Sequence, residues 1–166
     1  MEMEWNFIVR LCVAGLCGTV IGLDREYRVK DAGFRTHFLV ALGSALMMIV
    51  SQYGFAGVLG EPGVGLDPSR IAAQVVSGIG FIGAGTIIIH RQLVRGLTTA
   101  ASLWATAGIG LTAGSGMFLL AGVANAFRTG GALARLRRPG APSNDAGLLG
   151  GAPRGNRRDV QCVENQ

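Results

Sequence analysis

Two short charged segments hold the side chains whose types could do chemistry in this sequence. They are Asp24, Arg25 and Glu26 after the first apolar run, and Arg35, Thr36 and His37 before the second. Carboxylates and guanidinium groups this close together could pair with each other at helix boundaries, or they could form a binding surface for a partner. Charged residues at a membrane boundary cost little, so the residue types favour neither interpretation.

A glycine pattern of the type that binds dinucleotides occurs at Gly78, Gly80 and Gly83. In a dinucleotide-binding fold, such glycines follow a strand and open a helix, so that backbone N–H groups reach the phosphates. Here the pattern lies inside a charge-free apolar run, 71–89, with no strand before it. We therefore interpret these glycines and Gly85 as helix-packing positions, and expect Gly80→Leu or Gly83→Leu to force helices apart.

The remaining titratable residues indicate neither a metal site nor a catalytic centre. His37 and His90 stand apart from other ligands, and Cys12, Cys17 and Cys162 form no Cys-x-x-Cys pair. The arginines are not interleaved with aromatic residues, as a nucleic-acid surface would require. We therefore predict a protein that is not an enzyme and that uses no cofactor, metal site or nucleic acid.

The composition predicts that a lipid bilayer surrounds most of this chain. Of its 166 residues, 49% are hydrophobic and 15% are charged, whereas soluble domains carry about 25% charged residues. The charges gather between long apolar runs, which reach the roughly 17 residues that a helix needs to cross a bilayer. The predicted fold class is all-α, a polytopic transmembrane helix bundle of the bacterial inner (plasma) membrane.

Four apolar runs are long enough to cross the bilayer, at 7–23, 37–53, 71–89 and 97–113. Arginine and lysine concentrate in the first and third loops while the second loop is acidic, so the positive-inside rule places the N-terminus outside. A basic tail that begins at Arg128 is then cytoplasmic only if the number of spans is odd. A fifth span at 117–136 is predicted on this ground, which makes four to five spans in all.

The C-terminal segment differs in composition from the rest of the chain. Residues 139–166 are polar, rich in proline and glycine, and free of aromatic side chains, which predicts a disordered cytoplasmic tail. The transmembrane domain is accordingly assigned to residues 1–127.

Small residues recur every four positions along the first span, at Ala14, Gly18 and Gly22. Such a stripe lets two helix backbones approach closely. A contact within the chain and a contact between copies in a homo-oligomer fit it equally well. At the start of the third span, Asp67 precedes a proline and a serine, which predicts a helix N-terminus capped by a side-chain oxygen.

Five segments of the chain carry a resemblance to a known family. They read GLDREY at 22–27, AGFRTH at 32–37, LVALGSA at 39–45, DPSRIAAQVVSGIGFIGAG at 67–85 and VRGLTTAASLWATAGIG at 94–110. Together they resemble the MgtC/SapB family of bacterial membrane proteins, across roughly the first 125 residues. The larger departure from the family comes after Gly122, where family members continue with a longer fifth helix and many add a cytoplasmic ACT-like domain.

The resemblance implies which polar positions matter and what they do. By position, the characteristic polar residues of the family fall on Asp24, Arg25, Glu26, Arg35, Thr36, Asp67, Arg70, Gln74, Arg95, Thr98 and Thr99. The family implies a plasma-membrane protein linked to magnesium limitation and, in pathogens, to survival inside macrophages. Its better-studied members look like regulators of membrane partners, including the proton-translocating ATP synthase.

Two functions are therefore expected, a non-enzymatic regulator and, as the alternative, a transporter or transport accessory protein for magnesium or another cation. A transporter needs carboxylates or other polar groups near the midplane to replace the hydration oxygens of the ion. The four longer spans carry no acidic residue in their interior, which favours the regulator. Unwound carbonyl groups at the glycines of the third span could substitute for carboxylates.

Overall fold

The computed structural model describes residues 2–55, 57, 65, 67–90 and 93–136. Within these residues the chain forms five helices and one short hairpin. The helices are α1 (Glu2–Tyr27), α2 (Phe34–Tyr53), α3 (Ser69–Gly85), α4 (Leu97–Gly114) and α5 (Phe118–Leu136), and the strands are β1 (Ile88–His90) and β2 (Leu93–Arg95). The chain divides into two compact units, Met1–Leu133 and Ala134–Gln166, and the first contains α1 to α4. The predicted tail at 139–166 lies outside the described residues.

The mostly helical architecture predicted from the sequence is confirmed. Large apolar side chains face outward: Leu16, Phe81 and Leu119 are each more than half exposed. The buried positions are instead rich in small residues, such as Ala41 and Ala113, which have no exposed surface. This arrangement suits helices that contact lipid with large side chains and each other with small ones. By length and composition, α1 and α2 are able to cross a bilayer.

Close backbone packing holds α2 between α1 and α4. A Cβ added at Gly22 of α1 would lie 2.5 Å from Phe34 Cα, and one at Gly18 would lie 2.7 Å from a backbone oxygen of α2. On the other side, a Cβ at Gly114 of α4 would lie 2.6 Å from the Ala45 carbonyl oxygen. Only glycine allows helices to approach this closely. The small-residue stripe of the first span therefore faces α2 of the same chain.

α3 ends earlier than the span predicted at 71–89. The helix ends at Gly85, and the residues that follow form β1, which pairs antiparallel with β2 in the register Ile88↔Arg95. The physical reason is that a run of β-branched isoleucines after closely spaced glycines favours a strand over a further helical turn. Gly96 joins the hairpin to α4 with a φ of 88°, and a Cβ there would overlap the Thr86 carbonyl oxygen.

The glycines of α3 differ in their surroundings. Gly83 is buried against α4, where an added Cβ would lie 3.5 Å from Ala100 Cβ. A Cβ at Gly78, Gly80 or Gly85 would have no described atom within 4 Å. Close packing at these three glycines therefore stays a prediction. No other described helix contacts them, so such packing would need a second molecule.

Candidate functional site

Polar side chains from four helices meet at the end of the bundle where α1 ends and α4 begins. We call this group the arginine–histidine cluster, and it consists of Arg25, His37, Thr99, Ser102 and Arg128. His37 is fully buried and Arg25 is 8% exposed, while Arg128 of α5 is half-buried. Because α1 and α2 cross at glycine, the end of α1 and the start of α2 can both reach α4.

Hydrogen bonds connect the members of this cluster. Arg25 Nη2 donates to Thr99 Oγ1 at 2.7 Å, and His37 Nε2 lies 2.7 Å from Ser102 Oγ, to which Arg128 Nη2 also donates. His37 Nδ1 lies 2.9 Å from a backbone carbonyl oxygen one turn earlier, and a carbonyl only accepts, so Nδ1 carries a hydrogen. The Ser102 hydroxyl accepts from Arg128, and its own hydrogen can be donated to Nε2 when the imidazole is neutral.

The arginine–histidine cluster holds an excess of positive charge. In the described part of the chain, the nearest carboxylate in sequence, Asp24, pairs with Arg28 at 3.0 Å rather than with Arg25. Arg25 Nε is buried and has no hydrogen-bond partner among the described residues. Two guanidinium groups without a bonded carboxylate repel cations and attract anions. Asp24 and Asp31 attract Arg25 from a distance without a bond to it among the described residues, so the cluster still favours an anion over a divalent cation.

Glu26 contacts the start of α2, unlike its neighbours Asp24 and Arg25. Its Oε2 accepts a hydrogen bond from the Phe34 backbone N–H at 3.2 Å. This contact satisfies one of the N–H groups that the start of α2 leaves without a helical partner. Asp24, Arg25 and Glu26 thus bond within the chain, to Arg28, to α4 and to α2 respectively, which accounts for their positions without an external ligand.

Other predicted site residues at this end of the bundle face outward. Arg35 at the start of α2 is exposed, as are Arg95 of β2 and Thr98 of α4, whereas Thr36 is half-buried. These exposed side chains are available for contact with another protein, which is the role the sequence predicts for them.

Arg10 organises the opposite end of the bundle. Its guanidinium group donates to Asn6 Oδ1 at 2.8 Å, Gln52 Oε1 at 3.1 Å, the Gly114 carbonyl oxygen at 2.8 Å and the Tyr53 hydroxyl at 3.1 Å. These bonds tie the start of α1 to the ends of α2 and α4. Because Arg10 is only 9% exposed, it acts as a structural clamp.

Three further predicted residues lie at that same end, away from the arginine–histidine cluster. Ser51, near the end of α2, donates a hydrogen bond to the backbone just before α3. There Asp67 Oδ1 accepts from the Ser69 backbone N–H at 2.9 Å and from its hydroxyl at 2.6 Å, which caps the start of α3. Arg70 and Gln74 are exposed on α3. The predicted site residues therefore do not form one site, because they divide between the two ends.

The cap at Asp67 has an expected pH dependence. Hydrogen bonds from the side chain and backbone of Ser69 lower the pKa of Asp67 from its ordinary value of 3.8. A carboxyl group whose pKa is lower in the folded state stabilises the fold above its unfolded pKa, and it loses that contribution as the pH falls through the folded pKa. We expect the first turn of α3 to remain ordered down to about pH 4, and Asp67→Ala to loosen it at neutral pH.

Carbon-13 NMR of the Asp67 carboxyl group, followed from neutral to acidic pH, measures this effect. Asp67→Asn is the matched control, because its side-chain oxygen still accepts the Ser69 N–H at every pH. A carboxyl group that titrates at or above 3.8 would contradict the prediction.

Several side chains of these networks are absent from the predicted site. Arg10, Ser102 and Arg128 have no assigned role in the sequence-based site, and His37 is named only with its neighbours Arg35 and Thr36, although all four hold the ends of the bundle together. A charge inside an apolar run is costly unless it has partners. That signal could have identified Arg10 and Arg128, whereas nothing local distinguishes Ser102 from the other hydroxyl residues of α4.

Comparison with known proteins gives a consistent family. A family model described as the MgtC family matches residues 11–137. YhiD of Escherichia coli strain K12, whose name describes it as a candidate magnesium transporter, is 58% identical over 118 residues, which are 71% of this chain and 55% of YhiD. Protein MgtC of Salmonella typhimurium strain LT2 is 46% identical over 116 residues, 70% of this chain and 46% of that protein. The chain thus spans about half the length of these curated relatives. No solved structure matches it.

Proposed function

This chain belongs to the MgtC family, and we propose that it is a non-enzymatic regulator in the bacterial inner membrane that acts on other membrane proteins. The regulation is linked to magnesium limitation and to survival inside host cells, in keeping with the family resemblance. The proton-translocating ATP synthase is the first partner to test. The resemblance of the five sequence segments supports this choice, and a homo-oligomer is a further expected assembly.

The proposed topology has five spans, with the N-terminus outside and the end of α5 in the cytoplasm. The contacts of Arg10 support it, because they bring the start of α1 to the ends of α2 and α4, as an up-and-down bundle requires. The contact of Arg128 with Ser102 supports the same order, since it sets α5 antiparallel to α4. The basic first loop then lies on the cytoplasmic side.

The excess positive charge of the arginine–histidine cluster carries the regulatory proposal. Transported Mg²⁺ would need oxygen ligands in place of its water shell. An ion that passed between α1, α2 and α4 would reach Arg25 and His37 at the proposed cytoplasmic face, with Arg128 beside them. These groups offer positive charge and N–H donors in place of oxygen ligands. In a medium of low dielectric constant, guanidinium groups oppose a divalent cation strongly. This electrostatic barrier favours a protein that acts through its surface.

Magnesium transport is the second candidate, because YhiD carries a name that describes a candidate magnesium transporter. Flux into proteoliposomes that contain only the purified chain and a Mg²⁺-sensitive dye separates the two functions. We expect influx equal to that of protein-free liposomes, both in the parent protein and in Arg25→Gln, which lowers the barrier. Influx that is well above this background in the parent would support transport and would overturn the regulator-only proposal.

The regulatory function predicts that outward charges at the proposed cytoplasmic end matter. We expect affinity purification in mild detergent to recover the ATP synthase with the parent protein, and Arg35→Glu with Arg95→Glu to abolish the recovery. Arg70→Glu is the matched control, because Arg70 is equally exposed but lies at the opposite end. Equal recovery with all variants would show that the exposed charges at this end do not bind the partner.

A further inference from the structure

An apolar groove of about 380 Å³ lies between α4 and α5. Trp104, Gly108 and Ile109 line it from α4, and Leu120 and Ala124 from α5. Gly108 leaves it open, since an added Cβ there would have no described atom within 4 Å. From Trp104 to Thr112 the groove follows α4 for about 12 Å, which approaches the roughly 15 Å of one leaflet of the hydrocarbon core.

One end of the groove is polar. Its lining includes Arg128, which also bonds to Ser102 in the arginine–histidine cluster. A guanidinium group has five N–H donors, and one of its nitrogen atoms is bonded to Ser102 here, so further donors remain for a ligand. On the α1 side of the same cluster lies Arg25, whose buried Nε has no acceptor among the described residues.

We propose that this groove binds one acidic phospholipid of the inner leaflet, with an acyl chain along α4 and α5 and the headgroup phosphate at Arg128. The charge of the site fits this occupant, because the cluster has two guanidinium groups and, in the described part of the chain, no bonded carboxylate. The phosphate supplies the missing negative charge, and its oxygens accept from Arg128. The proposal is independent of the regulatory function, but the assignment to the inner leaflet rests on the topology proposed above.

A lipid fits these observations better than a free anion or a second copy of the chain. A free phosphate would use only the arginine end and would leave the apolar groove without a function. A helix of a second copy would not fit into about 380 Å³, since about 12 Å of a helix that measures about 10 Å across occupies roughly 900 Å³. A single acyl chain is narrow enough to lie between two neighbouring helices.

Quenching of Trp104 fluorescence by brominated lipids tests the proposal directly. The sequence has two tryptophans, so the full chain carries Trp5→Phe and Trp104 alone reports on the groove. The protein is reconstituted into phosphatidylcholine vesicles that contain increasing fractions of brominated phosphatidylglycerol or brominated phosphatidylcholine. We expect phosphatidylglycerol to bind about fivefold more tightly, the ratio that corresponds to about 1 kcal/mol for one arginine near an anionic lipid.

Four variants identify the parts of the site. Arg128→Gln is expected to abolish the preference, while Arg128→Lys keeps the charge and most of the preference. Arg95→Gln, which removes an exposed cation at the same end of the bundle, leaves it unchanged. Gly108→Leu adds a side chain whose Cβ has no described atom within 4 Å, and it is expected to reduce quenching by both lipids.

Each of several results would overturn the proposal. Equal quenching by the two lipids in the parent protein would show that the groove does not select acidic headgroups. A preference that survives in Arg128→Gln, or quenching that is as strong in Gly108→Leu as in the parent protein, would place the lipid elsewhere. Loss of the preference on addition of inorganic phosphate at millimolar concentration would indicate a soluble anion site instead.

Discussion

Replacement of Gly110 by leucine is expected to prevent the bundle from assembling. A Cβ at this position of α4 would overlap the Ala41 carbonyl oxygen of α2 and would lie 2.8 Å from Ser44 Cβ. The overlap is with backbone, which cannot rotate away as a side chain can, so α2 and α4 must separate. We expect the free energy of unfolding to fall by about 3 kcal/mol or more.

Gly108→Leu is the matched control for this prediction, because it makes the same substitution two residues away on the same helix. A Cβ at Gly108 would meet no described atom within 4 Å, and leucine forms helices more readily than glycine. Size-exclusion profiles in mild detergent and thermal unfolding followed by circular dichroism measure both variants. Similar unfolding temperatures for the two variants would show that α2 and α4 are not in backbone contact.

Removal of the Arg10 side chain is expected to have the second largest effect. Arg10→Ala would eliminate four hydrogen bonds, including the buried bond to the Gly114 carbonyl oxygen. It would also remove the guanidinium group from its position 5.2 Å from the centre of the Tyr53 ring. Hydrogen bonds to charged groups contribute about 1.5 to 3 kcal/mol each, less where they are partly exposed. We expect a net loss of about 3 kcal/mol, since relief of the buried charge offsets part of the lost bonding.

Two variants test whether this loss comes from the bonds of Arg10. Arg70→Ala removes an exposed arginine at the same end and should leave the unfolding temperature unchanged. Arg10→Lys keeps the charge but lacks the planar fork that reaches several acceptors at once, so it should recover only part of the stability. If Arg10→Ala unfolds at the temperature of Arg70→Ala, the four contacts do not stabilise the bundle.

The helices could be predicted from the sequence more reliably than the site. The start of α4 at Leu97 agrees with the predicted run. A glycine precedes an uncharged apolar segment there, so hydropathy alone shows where the segment begins. The predicted end of the third span was wrong, since the apolar run extends to residue 89 while α3 ends at Gly85. Hydropathy does not distinguish an apolar strand from a further turn of apolar helix, and β1 is made of such residues.

The site depended on contacts that no local pattern contains. Asp24 and Arg25 are neighbours in sequence, yet one bonds within α1 and the other reaches α4. The resemblance to a family indicated both positions, but it did not show that the two side chains have different partners. It also placed Asp67 in the same set as Arg25, although the two lie at opposite ends of the bundle.

The helical class, the family and the number of apolar segments follow from the sequence alone, because each depends on residues that are close together in the chain. That the glycine stripe of α1 faces α2, and that Arg25, His37 and Arg128 meet around α4, follows only from the packing of the helices. These residues lie up to 103 positions apart (128 − 25), so only the packing angles of the helices bring them together. Those angles depend on which glycines pack against another helix. Gly22 packs against α2, whereas Gly80 contacts no other helix in the described chain.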